Sequence, residues 1–326
     1  MWYNRSVASD DLIYTHWHVP ELGYALVKVR RTDSDLDEWA LAETLDREKP
    51  RRVRVTHPLR DTPALFKTFS DLAGRSDQEN VLAFADRYGW LGVTEGYLDC
   101  RIIEGTPKNP APVELIHTWL DAISDMRHAV DLIDAVNSDD CRTLKQWITW
   151  HGAAAVYQRK FKWGSHIYRL EPEFDQWLRD VMKSGDMVSA AKVVAQKFIN
   201  QGLNRHTATR LLFGDNREAL RLHVVPKNLL GAMWIQAAQA AEGGRAFRRC
   251  ENCATWYAVA PELARSDRIY CSRNCRFKAY RKRKDEAHRL RSKGMAPSAI
   301  ARAIGSDAAT VRGWLAIEPG RKRARS

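Results

Sequence analysis

Residues 270–284 read YCSRNCRFKAYRKRK, and this stretch decides how the C-terminal part of the chain is organised. Two thiols stand at its head, and seven of its last twelve residues are basic. Upstream, residues 247–257 read FRRCENCATWY. Together the two stretches give the pattern Cys250-x2-Cys253-x17-Cys271-x3-Cys275. Two close cysteine pairs at such a separation are the ligand pattern of a structural zinc site. A tight turn supplies one pair of thiolates and a returning strand supplies the other. Four protein thiolates complete a Zn2+ tetrahedron and leave no open position, so the spacing implies a structural metal and not a catalytic one.

Between the pairs the sequence reads as a hairpin. WYAVA (256–260) is strand-like, 261–267 is a polar loop, and RIYC (268–271) leads back. Ser272 is a good N-cap, which puts Cys275 in the first turn of a helix running from about Arg273 to Ser292. Hairpin, thiol pair and helix together predict a treble-clef-like zinc finger over 247–289. Phe277 and Tyr280, three apart, are placed to pack back on the finger. Arg276, Lys278, Arg281, Lys282 and Lys284 then remain to meet a polyanion, chiefly through phosphates. Metal binding at such a site is worth about 10–16 kcal/mol, enough to order a module too small to fold alone. The thiols therefore aim the basic helix.

The next segment, residues 293–316, reads KGMAPSAIARAIGSDAATVRGWLA. Ile300, Ala301 and Ile304 form one apolar face, and Val311, Trp314 and Leu315 form the next. Gly305 sits at the turn and Ser306 is placed to cap. This is the spacing of a helix-turn-helix over 290–316, whose second helix enters the major groove of DNA. Its base-facing positions would be Asp307, Ala308, Ala309, Arg312 and Gly313, with Arg312 the strong base reader. Residues 317–326 form a basic tail containing Arg321, Lys322 and Arg323.

Charge follows the same division. The chain carries 52 Lys plus Arg against 40 Asp plus Glu, but residues 245–326 alone hold 21 against 7. The first 244 residues hold 31 against 33 and are close to neutral. The basic block points to nucleic acid, most directly double-stranded DNA. A structured RNA or an acidic protein partner would also suit the basic helix.

The stretches FRRCENCATWY, YCSRNCRFKAYRKRK and the preceding NLLGAMWIQAAQA (228–240) resemble the bacterial CGNR-type zinc-finger proteins, transcription regulators with an ABATE-type domain before the finger. The resemblance implies zinc ligation by Cys250, Cys253, Cys271 and Cys275, and DNA binding by the basic helix. Where that family reads Cys-Gly-Asn-Arg, this chain reads Cys275-Arg276-Phe277-Lys278. The body is similar only in phrases such as FADRYGWLG (84–92), and by analogy it would sense a ligand, dimerise or recruit a partner.

For that body the patterning predicts a mainly α, α+β fold: a strand-rich part over 1–60 and a helical part over 61–246. YALVKVRR (24–31) and RVRVT (52–56) read as strands and DLDEWALAETLD (35–46) as a helix. A helix starting at Thr62-Pro63 and stopping at Gly74 is expected next, then one capped by Ser76 with Glu79 and ending near Gly89. Further helices are expected at 112–136, 140–160, 173–183 and 186–202. A hairpin over 210–225 should turn at Gly214-Asp215-Asn216, and an amphipathic helix should run from about Leu229 to Ala241.

Cys100 and Cys141 lie far apart and read as inert, partly buried thiols. His16 and His18 share a strand face with no carboxylate at a telling spacing. No phosphate-binding loop, serine-nucleophile or zinc-protease motif occurs, so the sequence offers no sign of an enzyme. No secretory leader and no apolar run of about 18 residues is visible, which points to the cytoplasm, where thiols stay reduced. The expectation is a cytoplasmic DNA-binding regulator holding structural Zn2+, able to form a homodimer, with no signal for a small-molecule effector.

Overall fold

The computed structural model describes residues 17–31, 36–45, 50–75, 77–93, 100–105, 113–161, 164–213, 220–243, 246–259 and 268–316. Two compact units divide the chain, Met1–Ala246 and Phe247–Ser326. About 52% of the structure is helix and 26% strand, which makes it an α+β mixture, and the strands fall into small sheets of two to four.

In the first unit, β1 (Trp17–Pro20) pairs antiparallel with β4 (Val53–Thr56). Between them, β2 (Tyr24–Arg31) and β3 (Asp37–Glu43) form the centre of a four-stranded antiparallel sheet. β5 (Cys100–Glu104) flanks β2, and β6 (Val113–Leu115) flanks β3. Val27 and Val29 on β2 and Ala40 and Ala42 on β3 alternate into one apolar face with Val113 and Leu115.

β3 corrects the helix expected over 35–46. Ala40, Leu41, Ala42 and Glu43 are all buried, so both faces of the strand are covered and the two-residue alternation vanishes. Without it, an Ala- and Leu-rich segment reads as a helix; pairing on both edges overrides that preference.

Helices follow. α1 (Pro58–Asp61) is closed by Thr62, and α2 (Leu65–Ser70) runs into a 3₁₀ turn ending at Gly74. The expected start at Thr62-Pro63 is therefore displaced to Leu65. α3 (Gln78–Tyr88) is capped by Asp77, which accepts the Asn80 N–H at 2.8 Å, and ends at Gly89. Ser76, the expected cap, lies outside the described residues.

α4 (Ile116–Asn137) is the spine, packed by α2 and by helices later in the chain. Near its start the buried Glu114 accepts the N–H groups of Leu91 (3.1 Å), Gly92 (2.6 Å) and Val93 (3.2 Å) and the Trp119 indole N–H (3.0 Å). Burial pushes its carboxyl up to about 7, and the four donors recover only part of that cost.

The long helix expected over 140–160 is also corrected. α5 (Cys141–Trp147) is short, and the chain then forms a three-stranded sheet of β7 (Ile148–His151), β8 (Ala154–Phe161) and β9 (Gly164–Leu170). His151 pairs with Ala154 across a two-residue turn in which Gly152 has φ +63°, a backbone state suited to tight hairpins. The run Ala153-Ala154-Ala155 disguises this as helix. β9 carried no sequence expectation. Cys141 is exposed at the start of α5, not partly buried as expected. His18 is exposed on β1, whereas His16 lies outside the described residues.

α6 (Gln176–Val181) and α7 (Met187–His206) are capped by Asp175 and Asp186. β10 (Thr207–Phe213) and β11 (Leu220–Pro226) pair antiparallel as a two-stranded ribbon; the expected turn at 214–216 is outside the described residues. α8 (Leu229–Ala241) is capped by Asn228. It was expected to be amphipathic, yet nine of its residues are buried, around much of its circumference. Gln236 is satisfied there: its Oε1 accepts the Phe66 N–H, and its Nε2 donates to the Pro58 and Thr62 carbonyls. α8 packs against α1, α2, α4 and α7. Among the described residues, no helix is long and apolar enough to cross a membrane.

β12 (Ala246–Arg249) starts at the boundary, and the second unit continues with β13 (Trp256–Val259), α9 (Arg273–Ser292), α10 (Pro297–Ala303) and α11 (Ala308–Ala316). β13 pairs with β12, the strand before the first cysteine pair, and not with residues 268–270, which carry no strand. The first pair therefore sits inside the hairpin turn. The loop expected over 261–267 lies outside the described residues. α9, α10 and α11 share one core of Ala287, Ile300, Ala301, Val311 and Trp314.

Candidate metal centre

Cys250 directly follows β12, and its N–H donates to the Thr255 carbonyl at 3.0 Å, closing the turn that carries Cys253. The Ala254 N–H donates back to the Cys250 carbonyl at 2.8 Å, and Ala254 takes a left-handed φ of +56°. A non-glycine residue there stores strain. The second pair arrives on an extended segment, where the Glu251 N–H donates to the Ile269 carbonyl at 3.1 Å. Ser272 then caps α9: its Oγ accepts the Cys275 N–H at 3.2 Å, which fixes Cys275 in the first turn.

These elements bring the four Sγ atoms to within 4.8 Å of one another. Cys253 and Cys271 are 3.6 Å apart, and Cys271 and Cys275 are 3.5 Å apart. Disulfide sulfurs would stand about 2.0 Å apart. The edge of a thiolate tetrahedron with bonds of about 2.3 Å is about 3.8 Å, close to what is observed. The cluster could hold a metal ion, and a donor set of four thiolates fits a structural Zn2+.

Local hydrogen bonding favours the thiolate at three of the four cysteines. Burial works against the Cys250 thiolate, but the N–H groups of Cys271, Cys253 and Asn252 bring its thiol below the usual range. At Cys253, burial is likewise outweighed, here by the Thr255 hydroxyl and N–H. Cys275 is lowered by Cys271, Ser272 and Asn252. Cys271 is pushed up to about 12 by burial and by the three thiols crowding it. A divalent ion and four thiolates would place about two net negative charges at the N-terminus of α9. That is where a helix favours anions, and where α9 has Arg273 and Arg276 but no acidic residue.

Some supports were not legible in the sequence. The Arg268 guanidinium donates to the carbonyls of Tyr270 (2.8 Å) and Cys271 and lies over the Tyr257 ring. The Tyr257 hydroxyl donates to the Arg268 carbonyl at 2.6 Å. This reciprocal clamp holds the segment read as a strand from RIYC. Its only sequence signal is an arginine two residues before a tyrosine.

Along α9, Ala287 is the single buried residue. At 3.6 residues per turn, Lys278 and Arg281 lie opposite the stripe of Ala287 and Leu290 and Lys282 lies to one side of it, and all three are exposed. Arg276 is exposed but lies nearer that stripe, and Lys284 is half-buried. Phe277 and Tyr280 do not pack on the finger. Phe277 is 50% exposed beneath the Arg273 guanidinium, and Tyr280 meets Trp314 edge-on, its hydroxyl accepting the indole N–H at 2.8 Å.

In the following helices, Gly305 has φ +61°, as the turn between α10 and α11 requires. Asp307, not Ser306, caps α11, accepting the Thr310 N–H at 2.8 Å. Hydrogen bonds from the Thr310 side chain and N–H hold the Asp307 carboxyl below its usual range, so it is engaged. Ala308 packs on the core, whereas Ala309, Arg312 and Gly313 are exposed. Arg321, Lys322 and Arg323 lie outside the described residues.

Comparison of the chain with protein-family models, curated proteins and solved structures finds no match.

Proposed function

We propose that the chain is a zinc-containing DNA-binding protein acting as a transcription regulator. The observation that carries this is the pairing of a four-thiolate cluster with a basic helix. The cluster fixes the start of α9, and α9 then presents Lys278, Arg281 and Lys282 to solvent. The hairpin–helix arrangement around the cysteines is of treble-clef type, and α10 with α11 supplies the helix-turn-helix. Arg276, Lys278, Arg281, Lys282 and Lys284 contact phosphates, and the tail residues Arg321, Lys322 and Arg323 add to the same field. Arg312, exposed on α11, reads a base edge. The chain acts in the cytoplasm, and its near-neutral body recruits a partner or senses a signal.

A second reading, a structured RNA ligand, is favoured by Phe277, a half-exposed aromatic ring among basic side chains that suits base stacking. A pair of substitutions tests the DNA assignment. Arg312→Ala should relax sequence preference, with about 1–3 kcal/mol lost at one base position. Lys282→Ala should weaken every duplex alike and flatten the salt dependence by about one phosphate contact. Unchanged sequence preference in Arg312→Ala would remove its role in readout. Stronger competition by structured RNA than by duplex DNA would favour the second reading.

A further inference from the structure

We infer that the β10–β11 ribbon is a dimerisation arm whose apolar face packs against the same face of a second copy of this chain. This goes beyond the DNA-binding proposal and does not depend on it. The register pairs Thr209 with Val224, Leu211 with Leu222 and Phe213 with Leu220, so these six side chains share one face. Leu211, Phe213, Leu220, Leu222 and Val224 are between 53% and 73% exposed. Arg210, Leu212, Arg221 and His223 lie on the other face. Only Val225 and Pro226, at the base, are buried, and the ribbon has just two strands. Such a hairpin is marginal alone and needs a further layer over its apolar side.

The occupant follows from area and charge. With more than half of each of the five side chains bare, the face offers roughly 500 Å², near the top of the about 300–600 Å² that a typical monomer leaves uncovered. Two such faces bury roughly 1,000 Å², about the smallest area of a specific interface. Among the described residues this face carries no charge and no hydrogen-bonding side chain beyond Thr207, at the base, and Thr209, so nucleic acid and charged proteins find little to pair with. A lipid surface would need cations at the rim of the buried face, but Arg210 and Arg221 point the other way. A second ribbon supplies the missing surface by symmetry. Two ribbons stacked about 10 Å apart bury both apolar faces and leave both basic faces in water.

Sedimentation of the full chain tests this. Wild type and Arg221→Glu, altered on the outer face, should be dimers at about 10 μM. The double variant Leu211→Glu with Leu222→Glu should be a monomer, its dissociation constant raised about 100-fold, with unchanged circular dichroism because both side chains are exposed. A monomeric wild type, a dimer that survives the double variant, or a monomer that co-sediments with anionic vesicles through this face would each overturn the inference. Amide exchange in wild type keeps it testable should the double variant misfold. Exchange over 207–213 and 220–226 should slow as protein concentration rises, and concentration-independent exchange would also overturn it.

Discussion

In the first unit order comes from burial, and Trp119, Tyr157, Phe66, Phe69, Leu65 and Met126 are all enclosed within it. Its polar interior groups are enclosed as well. His128 shares a hydrogen bond of 2.9 Å with the Tyr157 hydroxyl, and burial pushes its ring down to about 2. The second unit has little to enclose. Among the described residues, those buried around the cysteines are Cys250, Tyr257 and Val259, and the three-helix core adds five more. All of the basic surplus of the chain lies there. A segment this charged cannot offset its conformational entropy by apolar burial. The difference teaches that one chain can hold two kinds of order, hydrophobic area in one part and, in the other, a cysteine cluster that could hold a metal ion.

Metal removal should separate the two most sharply. Chelation should cost the finger about 10–16 kcal/mol of ordering and leave the body folded. Amide exchange followed by mass spectrometry should show protection lost over 246–259 and 268–275 and kept over 116–137; loss in both would erase the distinction. The reciprocal change is Trp119→Ala, which removes a fully buried ring packed against Phe69 and Phe84. It should cost the body about 3–5 kcal/mol by urea denaturation, with metal content unchanged.

A smaller effect should be seen with pH, through Glu114. Its carboxyl titrates higher in the folded chain, at about 7, than its ordinary value of 4.5. The stability it contributes is therefore full below about 4.5 and is lost as pH rises through about 7, a change of about 3 kcal/mol. Glu114→Gln should flatten this slope in thermal melts, and it should be less stable than wild type at pH 5 because its amide NH2 would face two donors, either those of Gly92 and Val93 or those of Leu91 and Trp119. An equal slope in both proteins would remove Glu114 as the cause. The smallest effect is expected at Ala254. Ala254→Gly should relieve the left-handed backbone by about 0.5–1 kcal/mol and tighten metal binding in a chelator competition.

The same contrast governs what could be read from sequence. Four cysteines, the Ser272 cap and the spacing of Ile300, Ala301, Val311 and Trp314 are local signals, and the structure brings each set together. The body was harder because its decisive contacts are distant. β3 looks helical until β2 and β6 cover its edges, and residues 148–161 look helical until Gly152 turns them back. α8 looks amphipathic until helices enclose it, and the fit of Gln236 depends on carbonyls far away in sequence. Arg268 was missed for another reason, since its partners are backbone carbonyls, which no side-chain pattern reports.

The most direct measurement is binding of the 326-residue chain, metal-loaded and chelator-stripped, to labelled duplex DNA across a salt series. The loaded protein should bind tightly, with log affinity falling by about 0.9 per phosphate contact for each unit of log salt, and the stripped protein should lose most of that affinity. Equal affinity in both states, or no binding by a loaded protein shown to be folded, would contradict a metal-ordered nucleic-acid module.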